Sequence, residues 1–211
     1  MLNSIIRQGF ILLAKVLSGA SVRYIDCTPD TCQRVYFANH TSHLDALVIW
    51  ASLPGFVRDT TRMVAARDYW EAGLVRRYIS QHLFNALLID REQVNIHNTP
   101  VNVMLDGMGD KYSLIIFPEG GRSSNEAGEV GQFKSGLYHL VKKRPDLELI
   151  PVCLNNMNRI LPRGRTIPVP MLSRVTFGPP IWLEKGENRD AFLTRAREAV
   201  VRLAGKQDEL Y

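Results

Sequence analysis

Apolar residues come in short bursts along this chain. They fall at residues 33–38, 62–66, 84–91, 113–117, 147–154 and 174–178. Each burst is five to eight residues long. Most are rich in β-branched or aromatic side chains, and each reads as a strand. Between them, apolar positions recur at helical spacing. Residues 47–51 continue as a helix until Pro54-Gly55, and residues 75–79 form a second helical stretch. Residues 99–109 carry Pro100 where a first helical turn tolerates it. Residues 133–143 run into Lys142-Lys143-Arg144 before Pro145, a basic carboxyl end that suits the helix dipole. Residues 189–204 place Phe192, Ala196, Ala199, Val200 and Leu203 on one inward face. The alternation predicts an α/β fold, a mostly parallel sheet flanked by helices. The chain shows no internal repeat and no linker, so it reads as one globular unit.

The amino terminus follows a different pattern. Residues 2–17 are apolar but broken by Arg7 and Lys15. The longest apolar run falls short of the roughly 20 residues that span a bilayer. There is no basic start with a small-residue cleavage site, so a secretory signal is not expected. Leu2, Ile5, Ile6, Phe10, Leu13, Val16 and Leu17 make one broad greasy face. This amphipathic helix has two readings: it packs on the core, or it lies in a membrane interface with Arg7 and Lys15 reaching lipid phosphates.

Composition narrows the classes. Hydrophobic residues make up 45% and charged residues 22%, which supports an ordered core over 211 residues. The formal net charge of +5 favours an anionic partner: a phosphate-bearing substrate, an acidic carrier or a membrane surface. No zinc-finger spacing or aromatic RNA-binding signature is present, so nucleic acid is not expected. Cys27, Cys32 and Cys153 form no Cys-x-x-Cys and no even framework, and they read as free thiols in a reducing compartment.

The candidate chemistry sits where strands end. Asn39-His40-Thr41-Ser42-His43-Leu44-Asp45 follows the first strand and leads into a helix. His40 is the candidate general base, and Asp45 the carboxylate that orients it. Five helical residues rotate about 500°, so the two would point apart if both were helical. They meet only if His40 lies on the turn before the helix, with Thr41 or Ser42 as its N-cap. A metal role for His40, His43 and Asp45 lacks further ligands, and none is expected. Asp90 and Arg91 end the third strand, where a guanidinium could fork a phosphate. Glu119-Gly120-Gly121-Arg122 follows the strand at 113–117, where glycine N–H groups could face an anion. Arg159, Arg163 and Arg165 lie in a loop that could meet an acidic donor or lipid heads.

These blocks, with Leu88-Ile89-Asp90-Arg91, Phe117-Pro118-Glu119-Gly120-Gly121-Arg122-Ser123 and Leu149-Ile150-Pro151-Val152, resemble the glycerolipid acyltransferase family. That family includes the bacterial 1-acyl-glycerol-3-phosphate acyltransferases, and the resemblance covers residues 33–180. It implies a glycerol-3-phosphate acyltransferase-like fold, with residues 1–25 as a membrane-associating segment and 26–211 as the acyltransferase domain. It implies acyl transfer from acyl-CoA or acyl carrier protein to a lysophospholipid hydroxyl, foremost 1-acyl-glycerol-3-phosphate, giving phosphatidic acid. His40 and Asp45 would be catalytic, and Arg91 with Glu119, Gly120, Gly121 and Arg122 would bind the acceptor. Pro151 would help shape the acyl-donor region. No cofactor is implied beyond the thioester co-substrate. The implied location is peripheral or monotopic, on the cytoplasmic face of a membrane. Gly121 stands where many relatives carry Thr, and Ala86 where Gly is common, which leaves the acceptor's identity open. A different lysolipid acceptor, a transacylase drawing on phospholipid and a silent lipid-binding protein stay open as alternatives. A serine hydrolase would need a Gly-x-Ser-x-Gly elbow, which the chain lacks.

Overall fold

The computed structural model describes residues 2–42, 44–90, 99–122, 129–157 and 172–205. Helix α1 (Leu2–Ser18) precedes strands β1 (Ser21–Tyr24) and β2 (Arg34–Ala38). Helices α2 (Asp45–Ser52) and α3 (Gly55–Arg58) lead to β3 (Thr61–Ala66). Then come α4 (Arg67–Trp70), α5 (Leu74–Tyr78) with a π turn at Ile79–Leu83, and β4 (Leu87–Ile89). Next are α6 (Pro100–Met108), β5 (Ser113–Ile116) and α7 (Gly136–Lys143). The last elements are β6 (Glu148–Asn155), β7 (Arg174–Phe177) and α8 (Arg189–Gly205).

The sheet runs β1-β7-β6-β2-β5-β3-β4. Every neighbouring pair is parallel except β6 with β7. Strand β2 lies near the middle and is buried along its whole length, as a strand covered on both faces must be. Its side chains alternate between two cores. Tyr36 and Ala38 join α1 and α2 on one face. Val35 and Phe37 join α6, α7 and α8 on the other. The result is a helix–sheet–helix sandwich whose parallel strands end at one edge, where α/β proteins place their ligands.

Several boundaries differ from the sequence reading, each for a local reason. Ser21–Tyr24, inside the predicted amino-terminal segment, is a strand of the sheet, paired with β7 from Ser21 to Tyr24. Its exposed edge position needs no apolar run, so no pattern announced it. The strand expected over 84–91 shrinks to Leu87–Ile89 among the described residues. Phe84 instead turns into the core against Trp50 and Phe10, and Asn85 takes a left-handed turn at φ 46°. Helix α7 starts at Gly136, not 133, because the Lys134 N–H donates to the Pro118 carbonyl at 2.8 Å.

Helix α1 is greasy on two sides. Ile11 and Ala14 are buried against the α2 side of the sheet. Arg7 does not point outward as a lipid contact would require. Its guanidinium lies 4.8 Å from the Trp50 ring centre and pairs with Asp59 at 2.8 Å. The outer side leaves Ile5 (68%), Leu12 (64%), Leu13 (50%) and Val16 (63%) exposed beside Lys15.

Trp50 is the hub of this seam. It is 1% exposed and touches Phe84, with Arg7 and Arg58 over its ring. Trp50→Ala is expected to cost about 3–5 kcal/mol of folding stability. Urea denaturation followed by circular dichroism measures it, and a loss below about 1 kcal/mol would show that the α1–α2 seam tolerates a void there.

Candidate active site

The site grows from the end of β2. Asn39 is buried, and its amide extends the sheet sideways: Nδ2 donates to the Leu154 carbonyl at 3.0 Å, and Oδ1 accepts the Leu154 N–H at 2.8 Å. The residue before His40 is thus fixed to β6. The His40 backbone N–H then donates to Glu119 Oε1 at 2.9 Å, which ties it to the loop after β5. The His40 ring stacks on Phe117, with centroids 4.1 Å apart and planes 20° apart.

Asp45 does the rest. Its Oδ2 lies 3.0 Å from His40 Nδ1 and accepts the N–H groups of Thr41 at 2.6 Å and Ser42 at 2.8 Å. The Asp45 side chain is wholly buried. A carboxylate can only accept, so Nδ1 carries the proton and Nε2 keeps its lone pair. His40 lies on the turn before α2, the one geometry in which a five-residue spacing brings the two together. The expected N-cap is corrected, however. Helix α2 starts at Asp45, and Leu44 stands at its cap with no side-chain bond. Neither Thr41 nor Ser42 caps it: the helix begins only after the turn, and both residues lie within the turn, giving their own N–H groups to the Asp45 carboxylate. A negative group there also suits the helix dipole. His43 lies outside the described residues.

Glu119 is a bracket in this geometry. Its carboxylate accepts N–H groups from His40 and Gly131, and burial holds its carboxyl above the ordinary glutamate value. Gly120 adopts φ 72°, which glycine alone takes without strain, and its N–H is committed to the Phe117 carbonyl at 3.0 Å. That amide is therefore not free to face an anion, contrary to the glycine-turn expectation. Gly121 and Arg122 line a cavity of about 570 Å³ together with His40. Its other walls are largely apolar, including Met63, Phe84, Met104 and Leu137.

The other predicted residues divide. Asp90 is paired with Arg67 at 3.0 Å. Arg91, Arg159, Arg163 and Arg165 lie outside the described residues. Pro151 sits in β6 opposite Phe37 and is not among the described residues lining the cavity. Ala86 does line it. Asn39 and Lys134, which also borders the cavity, were not singled out. An Asn after a strand and a Lys before a helix carry no pattern that separates them from surface residues. Burial pushes the Cys153 thiol up to about 12, which leaves it no thiolate to attack with. Among the described residues, no three His, Cys, Asp or Glu side chains converge as a metal site requires.

The acyltransferase family profile matches residues 21–155. The chain belongs to the acyltransferase family. It is an O-acyltransferase. No curated protein matches the sequence. Among solved structures, the fold is similar to that of the 1-acyl-sn-glycerophosphate (LPA) acyltransferase PlsC from Thermotoga maritima. The TM-score is 0.73 at 17% identity, over 99% of this chain and 82% of that one. The mostly parallel seven-stranded sheet with flanking helices is the fold the two share.

Glu119 makes acid stability a probe of the bracket. The folded chain holds its proton more tightly than the unfolded chain does. The stability this proton brings is complete below the ordinary value of 4.5 and is lost as the pH rises through the raised folded value. Glu119→Gln cannot ionise, so the stability of the parent minus that of the variant is expected to fall from pH 4.5 upward. Urea midpoints across pH 4–7.5 check it, and a difference independent of pH would remove the buried carboxylate from the account.

Proposed function

We propose that this acyltransferase moves a fatty acyl group from acyl-CoA or acyl carrier protein to the free hydroxyl of 1-acyl-glycerol-3-phosphate, forming phosphatidic acid. The observation that carries the reading is the 3.0 Å contact of His40 Nδ1 with Asp45 Oδ2 at a cavity that also holds Arg122. The likeness in fold to a protein titled as a 1-acyl-sn-glycerophosphate acyltransferase supports the choice of acceptor. The net charge of +5 supports an anionic one.

In this reading His40 Nε2 takes the acceptor's hydroxyl proton as the oxygen attacks the thioester carbonyl. A C–O bond forms and the carbonyl oxygen carries the charge of the tetrahedral intermediate. The intermediate collapses, the C–S bond breaks, and the departing thiolate recovers the proton from the imidazolium. Asp45 keeps the ring in the tautomer that starts the cycle and stabilises the imidazolium between the two proton transfers. Phe117 fixes the ring's plane. The acyl group passes directly from sulfur to oxygen, so neither a covalent acyl-enzyme nor a cofactor enters. The cavity's apolar walls suit the acyl chains, and Arg122 suits the phosphate. In the same reading Arg91 adds a second guanidinium on the acceptor side.

Helix α1 supports the proposed location. The exposed Ile5, Leu12, Leu13 and Val16 with Lys15 support a peripheral or monotopic site on the cytoplasmic face of a membrane, with α1 as the contact and the sheet from Ser21 onward as the catalytic unit. No helix among the described residues is long and apolar enough to cross a membrane. Leu12→Asp with Val16→Asp is expected to abolish flotation with anionic phosphatidylglycerol vesicles while turnover on detergent-dispersed acceptor persists. Unchanged flotation would detach α1 from this role.

The reading is tested by assaying purified protein against lysolipids of several head groups, with acyl-CoA, acyl carrier protein and phospholipid as donors. The expected result is the highest kcat/KM for 1-acyl-glycerol-3-phosphate with a thioester donor. His40→Ala is expected to lower kcat by about 10²–10⁴-fold or more with the circular dichroism spectrum unchanged. A phospholipid donor outperforming both thioesters, or His40→Ala turning over at the parent rate, would overturn the reading.

A further inference from the structure

Lys134 has no part in the scheme above, yet its side chain lies on the catalytic cavity. Its Cδ, Cε and Nζ cross the Gly120 turn so closely that a Cβ on Gly120 would sit 2.7 Å from each of them. The bare Gly120 leaves the room the lysine stem occupies there. The backbone holds the crossing in place. The Lys134 N–H donates to Pro118, and the neighbouring Phe133 is buried with its ring edge-on to Phe37 of β2 at 6.1 Å. The side chain is exposed to the cavity's solvent and shares its lining with His40 and Arg122. Among the described residues it makes no ion pair. Glu119, one residue from the turn, already has its carboxylate on two backbone N–H groups.

A lysine draped over a glycine turn beside an arginine is a site for two negative charges. A phosphate monoester carries about −1.5 to −2 at neutral pH, while a diester carries one charge and two ester arms. Arg122 can fork one pair of oxygens, and a compact ammonium adds a point charge for the second. We infer that Lys134 is a binding residue that makes the acceptor site select a phosphate monoester over a phosphodiester lysolipid, its stem laid across the Gly120 turn. The inference rests on the acceptor-binding reading of this cavity and adds to it the group that reads the phosphate's second charge.

The experiment compares the parent protein, Lys134→Met and Lys134→Arg, using one acyl-CoA donor. The acceptors are 1-acyl-glycerol-3-phosphate and 1-acyl-glycerol-3-phosphocholine, matched in acyl chain, and acyl-CoA is also titrated at saturating acceptor. Thermal unfolding of each variant controls for folding. Lys134→Met is expected to raise KM for the monoester at least tenfold, with a smaller change in kcat. Its monoester-to-diester ratio of kcat/KM should fall by a similar factor, and Lys134→Arg should restore most of that ratio. Equal losses on both acceptors, or no loss on either, would overturn the inference. A rise confined to the KM for acyl-CoA would overturn it too, by assigning the lysine to the donor's phosphates. A parent that acylates neither acceptor would bring down the functional reading itself, a result distinct from a parent that acylates the monoester and a variant that matches it.

Discussion

One carboxylate oxygen gathers three groups. Asp45 Oδ2 accepts the Thr41 and Ser42 N–H groups and the His40 ring N–H, all within five residues of chain. Each of these donors sits on the turn that carries the chain from sheet to helix, where no ladder partner is at hand. An unsatisfied buried amide costs about 1–3 kcal/mol, so the two backbone bonds give the turn its shape. The ring bond then follows from the shape. The His40–Asp45 contact is a by-product of solving a backbone problem, which is why the pair is already formed in the unliganded chain. Preorganisation of this kind means that little of the substrate's binding energy is spent on orienting the imidazole.

The turn would still be free to tilt were it held by Asp45 alone. Its two neighbouring strands hold it. Asn39 pins its start to β6 through a two-way amide contact, Glu119 pins its His40 N–H to the loop after β5, and Phe117 at the end of β5 lies under the ring. Strand β2 sits between β5 and β6, so both supports come from its direct neighbours. This explains why a parallel sheet suits the task. Its strands end side by side at one edge, and the side chains just beyond those ends can be braced from left and right.

The parts legible in the sequence were those with a periodicity or a chemical signature. The buried strand at 34–38 reads as a continuous apolar run because it is covered on both faces. The His40–Asp45 spacing excluded a helix and demanded a turn, and the turn is there. What escaped notice depends on three-dimensional company. Ser21–Tyr24 is a strand because β7 lies beside it, not because of its own residues. Arg7 looked like a lipid contact on a helical wheel, but a wheel does not show Asp59 and Trp50 waiting on the inner side. Thr41 and Ser42 have good capping side chains, yet the helix begins beyond them at Asp45, because the turn they sit on is closed by their own N–H groups on the Asp45 carboxylate. The glycine pair suggests N–H groups free for an anion, whereas Gly120 serves the turn through its φ of 72° and gives its N–H to Phe117.

That last substitution of roles shapes the whole cavity. With the Gly120 amide turned inward to Phe117, the loop offers an anion no backbone cradle at that position. The cations lining the cavity among the described residues are the side chains of Arg122 and Lys134. Met63, Met104 and Leu137 give the same cavity apolar lining, and Asp68 and Tyr69 add polar groups to it. Under the proposed reading, the acceptor's acyl chain would lie against the apolar lining and its phosphate would meet the cations. Helix α1 extends the same division to the outside, with its inner side docked on the sheet and its outer aliphatic side exposed. The proposed reading needs both kinds of surface, since an acceptor that is half aliphatic and half phosphate must find each on the cavity that the braced His40 also lines.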